Sequence, residues 1–371
     1  MMKLFFWAVL FFLQRISALY SLADISLIVI DLKYNGKQGV KICELQPGSF
    51  SRFSGCDFFG KRNNPDVPPE EINVIPKMYC DLISQYGIPL CFTKPIYQKM
   101  EQEFLERGWA MVSSPKKLQS KVIGTVGDPD NISDYEYFFF SVKNDEISPP
   151  YRGSFSKILF LDWAVLPYGQ DKSLMNQLFD ASEETKILRP RWKKYLKGSS
   201  NQLVNTILND IPSDRLVIKP LKSTMGRGVI ILDRNDLKGT LKYIFDSNKE
   251  ILIEDSDRSY SHYAKDGNKF FIVEEFIGSD PIFIPEGGEL PYDCTMRVIA
   301  VLSYNQHLAD ITFLAGYWYS PRKPIGGSDS LIECHKAKGA FFSEVNAEIM
   351  EEVQNQLRPG LLALYNKMLV Y

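Results

Sequence analysis

Apolar residues along this chain come in short runs, many of them β-branched, separated by polar breaks that carry glycine or proline. That rhythm predicts many short strands with helices between them. The most telling stretch is 216–232, LVIKPLKSTMGRGVIIL. Two apolar runs, 216–218 and 229–232, enclose Lys219-Pro220, a polar turn at Ser223-Thr224, and Met225-Gly226-Arg227-Gly228. The pattern predicts two buried strands joined by a glycine loop. Glycines let a backbone approach a ligand closely, and successive free N–H groups form an anion cradle. Lys219, at a strand end, is placed to meet a phosphate as a point charge. The plain alternative is a hairpin with a solvated lysine, because short glycine motifs recur without a ligand.

Taken in order, the chain opens on Met1-Met2-Lys3, a ten-residue apolar run at 4–13, and a small residue at Ala18. This fits a secretory signal peptide, or a buried helix within a segment 1–22, and it is too short to span a bilayer. Residues 25–31 (ISLIVID) predict a strand ending in a carboxylate, Asn35-Gly36 a hairpin turn, and 40–45 (VKICEL) the return strand. Gln46-Pro47-Gly48-Ser49 is a breaker cluster, and 61–70 (KRNNPDVPPE) reads as a linker. From 72 to 166, helices at 78–86 and 97–107 alternate with strands at 90–92, 109–112, 122–123, 137–142 and 158–161. That alternation predicts an α/β layer with a parallel sheet. Helices are expected at 174–179, 192–208 and 237–245. Strands are expected at 269–277, 296–302 and 311–317, and a last helix at 343–368, broken at Pro359-Gly360.

Composition narrows the chemistry. The chain has 371 residues, 45% hydrophobic and 24% charged, enough for two or three domains. Net charge is -2 and pI about 6.1, which lends no support to nucleic-acid binding. Six cysteines lie without CxxC pairs, and only three histidines exist. A zinc knuckle or His-rich metal site is therefore not expected, and any metal should sit on carboxylates, as Mg²⁺ prefers. Asp31 and Glu44 could converge on such a cation, or could simply be solvated charges.

The order VIKP, glycine loop, IVEEFI and an arginine-bearing strand resembles the nucleotide half of the ATP-grasp enzymes. The resemblance implies an α/β architecture of α+β subdomains holding ATP between them. It implies that Lys219 and Lys186 meet phosphates, that Ser223, Gly226 and Gly228 belong to a mobile loop, and that Glu274, Glu275 and Ile277 form the adenine and ribose hinge. Arg297 resembles the arginine facing the transferred phosphoryl group. The family's metal-binding acids normally follow the last helix. Here their counterpart resembles Asp31, Glu44 and Gln46 at the other end of the chain, with Gln46 where the family carries Asn. That order is similar to the circularly permuted eukaryotic glutathione synthetases and glutathionylspermidine synthetases. The loop lacks the acid that glutathione synthetases carry there.

The resemblance implies an ADP-forming carboxylate–amine or carboxylate–thiol ligase that uses ATP and Mg²⁺ and passes through an acyl phosphate. It divides the chain into a hydrophobic segment 1–22, permuted metal-binding strands 23–60, a substrate-side α/β domain 70–170, and a nucleotide-binding domain 171–371. The expected partners are a small-molecule or peptide carboxylate and an amine or thiol acceptor, with no nucleic acid and no stable membrane span. Because ATP is cytosolic and 25–31 would lie at its site, a buried helix and a cytoplasmic location are expected, with secretion the alternative. A small-molecule kinase and a non-catalytic nucleotide-binding protein on the same scaffold are the rival functions.

Overall fold

The structure is a computed structural model that describes residues 23–47, 54–63, 66, 74–86, 89–92, 103, 106–107, 110–112, 137–140, 158–162, 164–169, 171–223, 226–254, 258–305 and 308–370. The segment 1–22, the strand expected at 122–123 and most of the helix expected at 97–107 lie outside these residues. The strands are β1 (Ala23–Asn35), β2 (Gly39–Pro47), β3 (Pro89–Phe92), β4 (Ala110–Val112), β5 (Tyr137–Phe140), β6 (Ile158–Leu161) and β7 (Trp192–Leu196). They continue as β8 (Arg215–Pro220), β9 (Ile230–Asp233), β10 (Phe270–Glu275), β11 (Thr295–Asn305), β12 (Leu308–Pro321) and β13 (Ala337–Glu344). The helices that matter here are α1 (Ser54–Asn63), α2 (Val74–Ser84), α3 (Lys172–Phe179), α4 (Asn201–Asp210), α5 (Leu237–Asp246), α6 (Leu331–His335) and α7 (Ala347–Val370).

β1 is the centre of the larger sheet. One edge pairs antiparallel with β11 from Asp24 to Leu32. The other is shared, with β6 parallel along Ala23–Ile25 and β2 antiparallel along Ile28–Asn35. The sheet order is β13-β12-β11-β1-β6-β5-β3-β4, with β2 beside β1. The strands expected at 25–31, 40–45, 296–302 and 311–317 therefore lie in one sheet. β3 to β6 pair in parallel, as the alternating rhythm predicts. The β1–β2 turn is fixed locally. Asn35 Oδ1 accepts from the backbone N–H of Lys37 (3.2 Å) and Gln38 (2.8 Å), and Gly39 takes a left-handed φ of 67°.

β1 is buried along nearly its whole length, and its alternate residues feed two cores. Ile28, Ile30 and Leu32 pack with Met296, Val298 and α7 residues such as Leu357 and Tyr365. Ile25, Leu27 and Val29 pack on the opposite face with Ile299, Val301 and the α2 residues Tyr79 and Ile83. The second sheet, β7-β10-β8-β9, is wholly antiparallel. One face carries Leu216, Ile218, Phe271 and Val273 against α4 and α5. By alternation, the other face carries Val217, Lys219, Ile272 and Glu274.

A buried polar knot links the two sheets. Lys33 Nζ, on β1, donates to the Asp293 carboxylate at 2.8 Å and to the Asp293 carbonyl at 2.9 Å. Asp293 Oδ2 lies 2.7 Å from His335 Nδ1, and the other ring nitrogen lies 3.2 Å from Arg215 at the start of β8. Burial alone would push the Asp293 carboxyl up; Lys33 and His335 outweigh it and hold it below the usual range.

Two expectations are corrected. Residues 192–208 are not one helix: 192–196 form β7 against β10, and α4 starts only after Ser200, whose side chain accepts from Leu203 N–H. Pairing with β10 overrides a local sequence compatible with helix. The last helix likewise starts at Ala347, where the Asn346 side chain accepts from Glu348 N–H, because Ser343 and Glu344 pair with β12. It runs unbroken through Pro359-Gly360. Pro359 is exposed, whereas Gly360 is buried against Leu188 and the Glu184 carbonyl, leaving no room for a Cβ. Of the residues read as a linker, 61–63 complete α1. Among the described residues, no helix is long and apolar enough to cross a membrane.

One buried acid gives the fold a pH signature. Asp162 accepts from Leu27 N–H at 2.7 Å and takes a φ of 54°. Burial pushes its carboxyl up to about 8; the Leu27 bond opposes this, and Asp24 adds to it. Between the unfolded carboxylate value of about 3.9 and that folded value, the folded chain holds a proton the unfolded chain has lost, so stability falls as pH rises. Asn suits a left-handed φ. Asp162→Asn should flatten this dependence, so its melting temperature should fall less than the parent's between pH 5 and pH 8. Equal slopes would show that Asp162 is not the group responsible.

Candidate functional site

The hairpin does what the sequence spacing requires of it. In the β1–β2 register Asp31 stands opposite Glu44, and in the β1–β11 register the same Asp31 stands opposite Arg297. Arg297 donates through Nε to Asp31 Oδ1 at 2.7 Å and through Nη2 to Oδ2 at 2.8 Å, a two-pronged pair buried on both sides. The Tyr319 hydroxyl, from β12, adds a bond to Asp31 Oδ2 at 3.2 Å and accepts one from Arg297 at 3.2 Å. Gln46 Nε2 donates to Asp31 Oδ2 at 3.1 Å and to Glu44 Oε2 at 3.0 Å. Burial would lower the Arg297 pKa; the Asp31 charge beside it reverses this and raises it.

A cavity of about 170 Å³ opens beside this network, lined by Glu44 and Gln46 on one side and by Lys172, Asn176, Arg189, Ser223 and Glu274 on the other. Its centre of charge is Glu274, which is 2% exposed. Lys219 Nζ lies 2.5 Å from Glu274 Oε2 and also donates to the Cys43 carbonyl at 3.2 Å. Arg189 Nη2 donates to Glu274 Oε1 at 2.8 Å, and its Nη1 to the Ile42 carbonyl at 2.5 Å. Asn176 adds a longer bond to Oε1 at 3.4 Å. Burial alone would push the Glu274 carboxyl up; Lys219 and Arg189 outweigh it and hold it below the usual range. Burial raises the Cys43 thiol, which keeps it protonated, while Lys219 pulls the other way.

The glycine loop is gripped from two directions. Lys172 Nζ donates to the Ser223 carbonyl at 2.7 Å, and Lys336 Nζ donates to the Gly226 carbonyl. Gly226 and Gly228 both take left-handed φ values, 64° and 73°, and a Cβ at Gly228 would sit 2.8 Å from Pro220. Thr224 and Met225 lie outside the described residues. At the hinge, Glu275 Oε1 accepts from Arg191 N–H at 2.7 Å, and Ile277 is buried.

The structure lines this cavity with Glu44, Gln46, Ser223 and Glu274; Lys219 joins them through its bond to Glu274, and Asp31, with its partner Arg297, through Gln46. It does not bring Lys186 there: that side chain is exposed, 3.2 Å from Glu183 on its own helical turn. The cation in the cavity from this segment is Arg189, three residues on. Sequence reading missed Arg189, Lys172 and Asn176. The one local signal for Arg189 is its place next to Pro190, just before β7; for the other two no spacing stands out.

The donor set also bears on a divalent cation. Asp31 has both oxygens engaged by Arg297, and the group between Asp31 and Glu44 is an amide N–H donor. These residues do not fit a closed cage around Mg²⁺. Glu44 fits better: it lines the cavity, is partly exposed, and its Oε1 lies 3.5 Å from Lys172 Nζ. One carboxylate with phosphate oxygens and waters is an ordinary Mg²⁺ environment. Among the described residues, no group of three or more His, Cys, Asp or Glu side chains is arranged to hold a metal ion.

No family model matches the chain, and no curated protein does. Solved structures do. A glutathione synthetase-like effector from Globodera pallida overlaps with a TM-score of 0.39 and 11% identity, over 84% of this chain and 80% of that one. VanG D-Ala:D-Ser ligase from Enterococcus faecalis overlaps at 0.32 and 12%, over 73% and 67%. D-alanyl-alanine synthetase A from Vibrio cholerae overlaps at 0.30 and 8%, over 63% and 59%. At these TM-scores the overlap is partial, and the site is read from its own geometry.

The Asp31–Arg297 pair predicts a measurable coupling. Removing one partner of a buried pair leaves an unpaired charge and costs about 3–5 kcal/mol. Arg297→Met should lower unfolding stability in urea by that order, and Asp31→Asn with Arg297→Met together should cost clearly less than the two single losses added. Simple additivity would mean the pair is not coupled.

Proposed function

We propose that the cleft between the two sheets binds ATP and that the protein is an ATP-dependent ligase of the ATP-grasp kind, with its metal-side strands circularly permuted to the front of the chain. The observation that supports this best is the meeting of Asp31, Glu44 and Arg297 beside a cavity whose other wall carries Arg189, Ser223 and Glu274. These groups come from opposite ends of the sequence, as the permuted order requires. In this reading 23–60 and 171–371 form the nucleotide-binding domain, and 70–170 the substrate side.

Lys219 and Arg189 would offset phosphate charge, and Arg297 would face the transferred phosphoryl group. Glu275 and Ile277 would line the base and ribose. The Ser223, Gly226 and Gly228 loop would cover the phosphates and keep water from a hydrolysable intermediate. Lys186 would join only after a rearrangement of its turn. Mg²⁺ arriving with ATP would be held by Glu44 and would supply charge neutralisation at the phosphates. A substrate carboxylate oxygen attacks the γ-phosphorus, the bond to ADP breaks, and an acyl phosphate forms. An amine or thiol then attacks the carbonyl carbon, and inorganic phosphate leaves. The acceptor and the carboxylate would be small molecules or peptides, and the location would be the cytoplasm, where ATP is present.

One observation favours a second reading. Each cation at the cleft already has a carboxylate within 4.0 Å: Lys219 and Arg189 share Glu274, Arg297 holds Asp31, and Lys172 approaches Glu44. A scaffold that binds a nucleotide without turning it over would tolerate such pairing.

The readings separate on turnover. Incubated with Mg-ATP and pools of amino acids and peptides, a ligase releases ADP and phosphate only when an acceptor is supplied. A kinase makes ADP and a stable phosphorylated product without one. Lys219→Met should abolish ADP formation while the chain stays folded, since Glu274 keeps Arg189. Mg-ATP should raise the melting temperature more than ATP with a chelator, and Glu44→Gln should remove most of that difference. Stabilisation by ATP without any ADP would favour the non-catalytic reading; neither effect would sink the nucleotide reading altogether.

A further inference from the structure

Glu274 stands where a ligand anion would be expected. The hinge role assigned to it from sequence needs a side chain turned toward a base or ribose. Its carboxylate instead lies on the ammonium of Lys219 and the guanidinium of Arg189. Among the described residues, their other hydrogen bonds go to backbone carbonyls, Cys43 for Lys219 and Ile42 for Arg189, and the Arg189 guanidinium also lies 5.5 Å over the Phe179 ring. Two buried cations thus share one carboxylate, leaving a positive charge over. Arg189 Nε is buried and, among the described residues, has no hydrogen-bond partner. A spare N–H and a surplus charge on the wall of a polar cavity describe an anion subsite that is only partly filled.

We propose that Glu274 is an internal counter-anion seated in the phosphoryl subsite of Lys219 and Arg189, and that it determines which anions the cavity admits. It rests on the nucleotide reading only for the identity of the polyanion. A phosphate chain must displace the carboxylate from at least one cation, or share both with it. Either route costs Coulomb energy that a site without Glu274 would not lose. Glu274 therefore weakens binding of phosphate-bearing ligands, whereas a hinge residue would strengthen binding of the nucleotide.

The test uses the full chain and two probes titrated calorimetrically, sodium tripolyphosphate in the presence of a chelator and ATP in the presence of Mg²⁺. Glu274→Gln keeps the side-chain shape and removes the charge. It should bind tripolyphosphate about tenfold more tightly or better, the scale of close charge couplings. The gain should vanish when Arg189→Met is added. Equal or weaker binding by Glu274→Gln overturns the proposal. If Glu274→Gln does not fold by itself, millimolar tripolyphosphate should restore a cooperative melting transition, and failure to do so also overturns it. The two readings fail separately. Tighter tripolyphosphate binding with ATP bound by neither protein upholds the counter-anion and sinks the nucleotide site; ATP bound equally by both, with no gain for tripolyphosphate, does the reverse.

Discussion

The bidentate pair between Asp31 and Arg297 is the constraint on which the rest of the site depends. It is buried, so both charges must stay together or neither can stay. It lies across the β1–β11 ladder, at the point where β2 also reaches β1. Tyr319 from β12 and Gln46 from β2 close the remaining valences of Asp31. Four strands are thereby held in register by one carboxylate. A slip of one residue in β1 would turn Asp31 into the opposite core, among Ile28 and Ile30, away from Arg297.

Across the cavity the same logic repeats with a different stoichiometry. Glu274 has two cations where Asp31 has one, and its pKa is held low despite deep burial. Gln46, bonded to Asp31, and Glu274 line the same small cavity, and the glycine loop is tethered beside it by Lys172 and Lys336. The polar knot of Lys33, Asp293, His335 and Arg215 links the sheets that carry them. The cleft is thus a preorganised set of charges whose internal partners and any external ligand draw on the same donors.

The fold was legible where local chemistry decides it. The apolar run at 25–31, the Asn35 turn and the glycine-bearing strand pair at 216–232 each announced an element that the structure contains. Of the candidate site, the sequence offered the residue types and their elements: an acid within β1, another on β2, a lysine near the end of β8 and an arginine on β11. The place of Lys186 is instructive. Lys186 and Arg189 are three residues apart, both cationic, and no periodicity separates them. One ends on solvent beside Glu183 and the other on buried Glu274, because the chain turns between them at Ile187 and Leu188.

What the sequence by itself determined was the alternation that buries both faces of β1, the turn that folds β2 back, and the supply of acids and cations along the strands. Only the tertiary structure decided which acid meets which cation. It made 192–196 a strand by offering β10 as a partner, and it carried the last helix through Pro359-Gly360 by packing Gly360 against Leu188. It also gave Glu274 to Lys219 and Arg189. Helix and strand periods are read within a few residues, but ion pairing depends on distance and burial between residues 55 and 85 positions apart, and no local pattern encodes that.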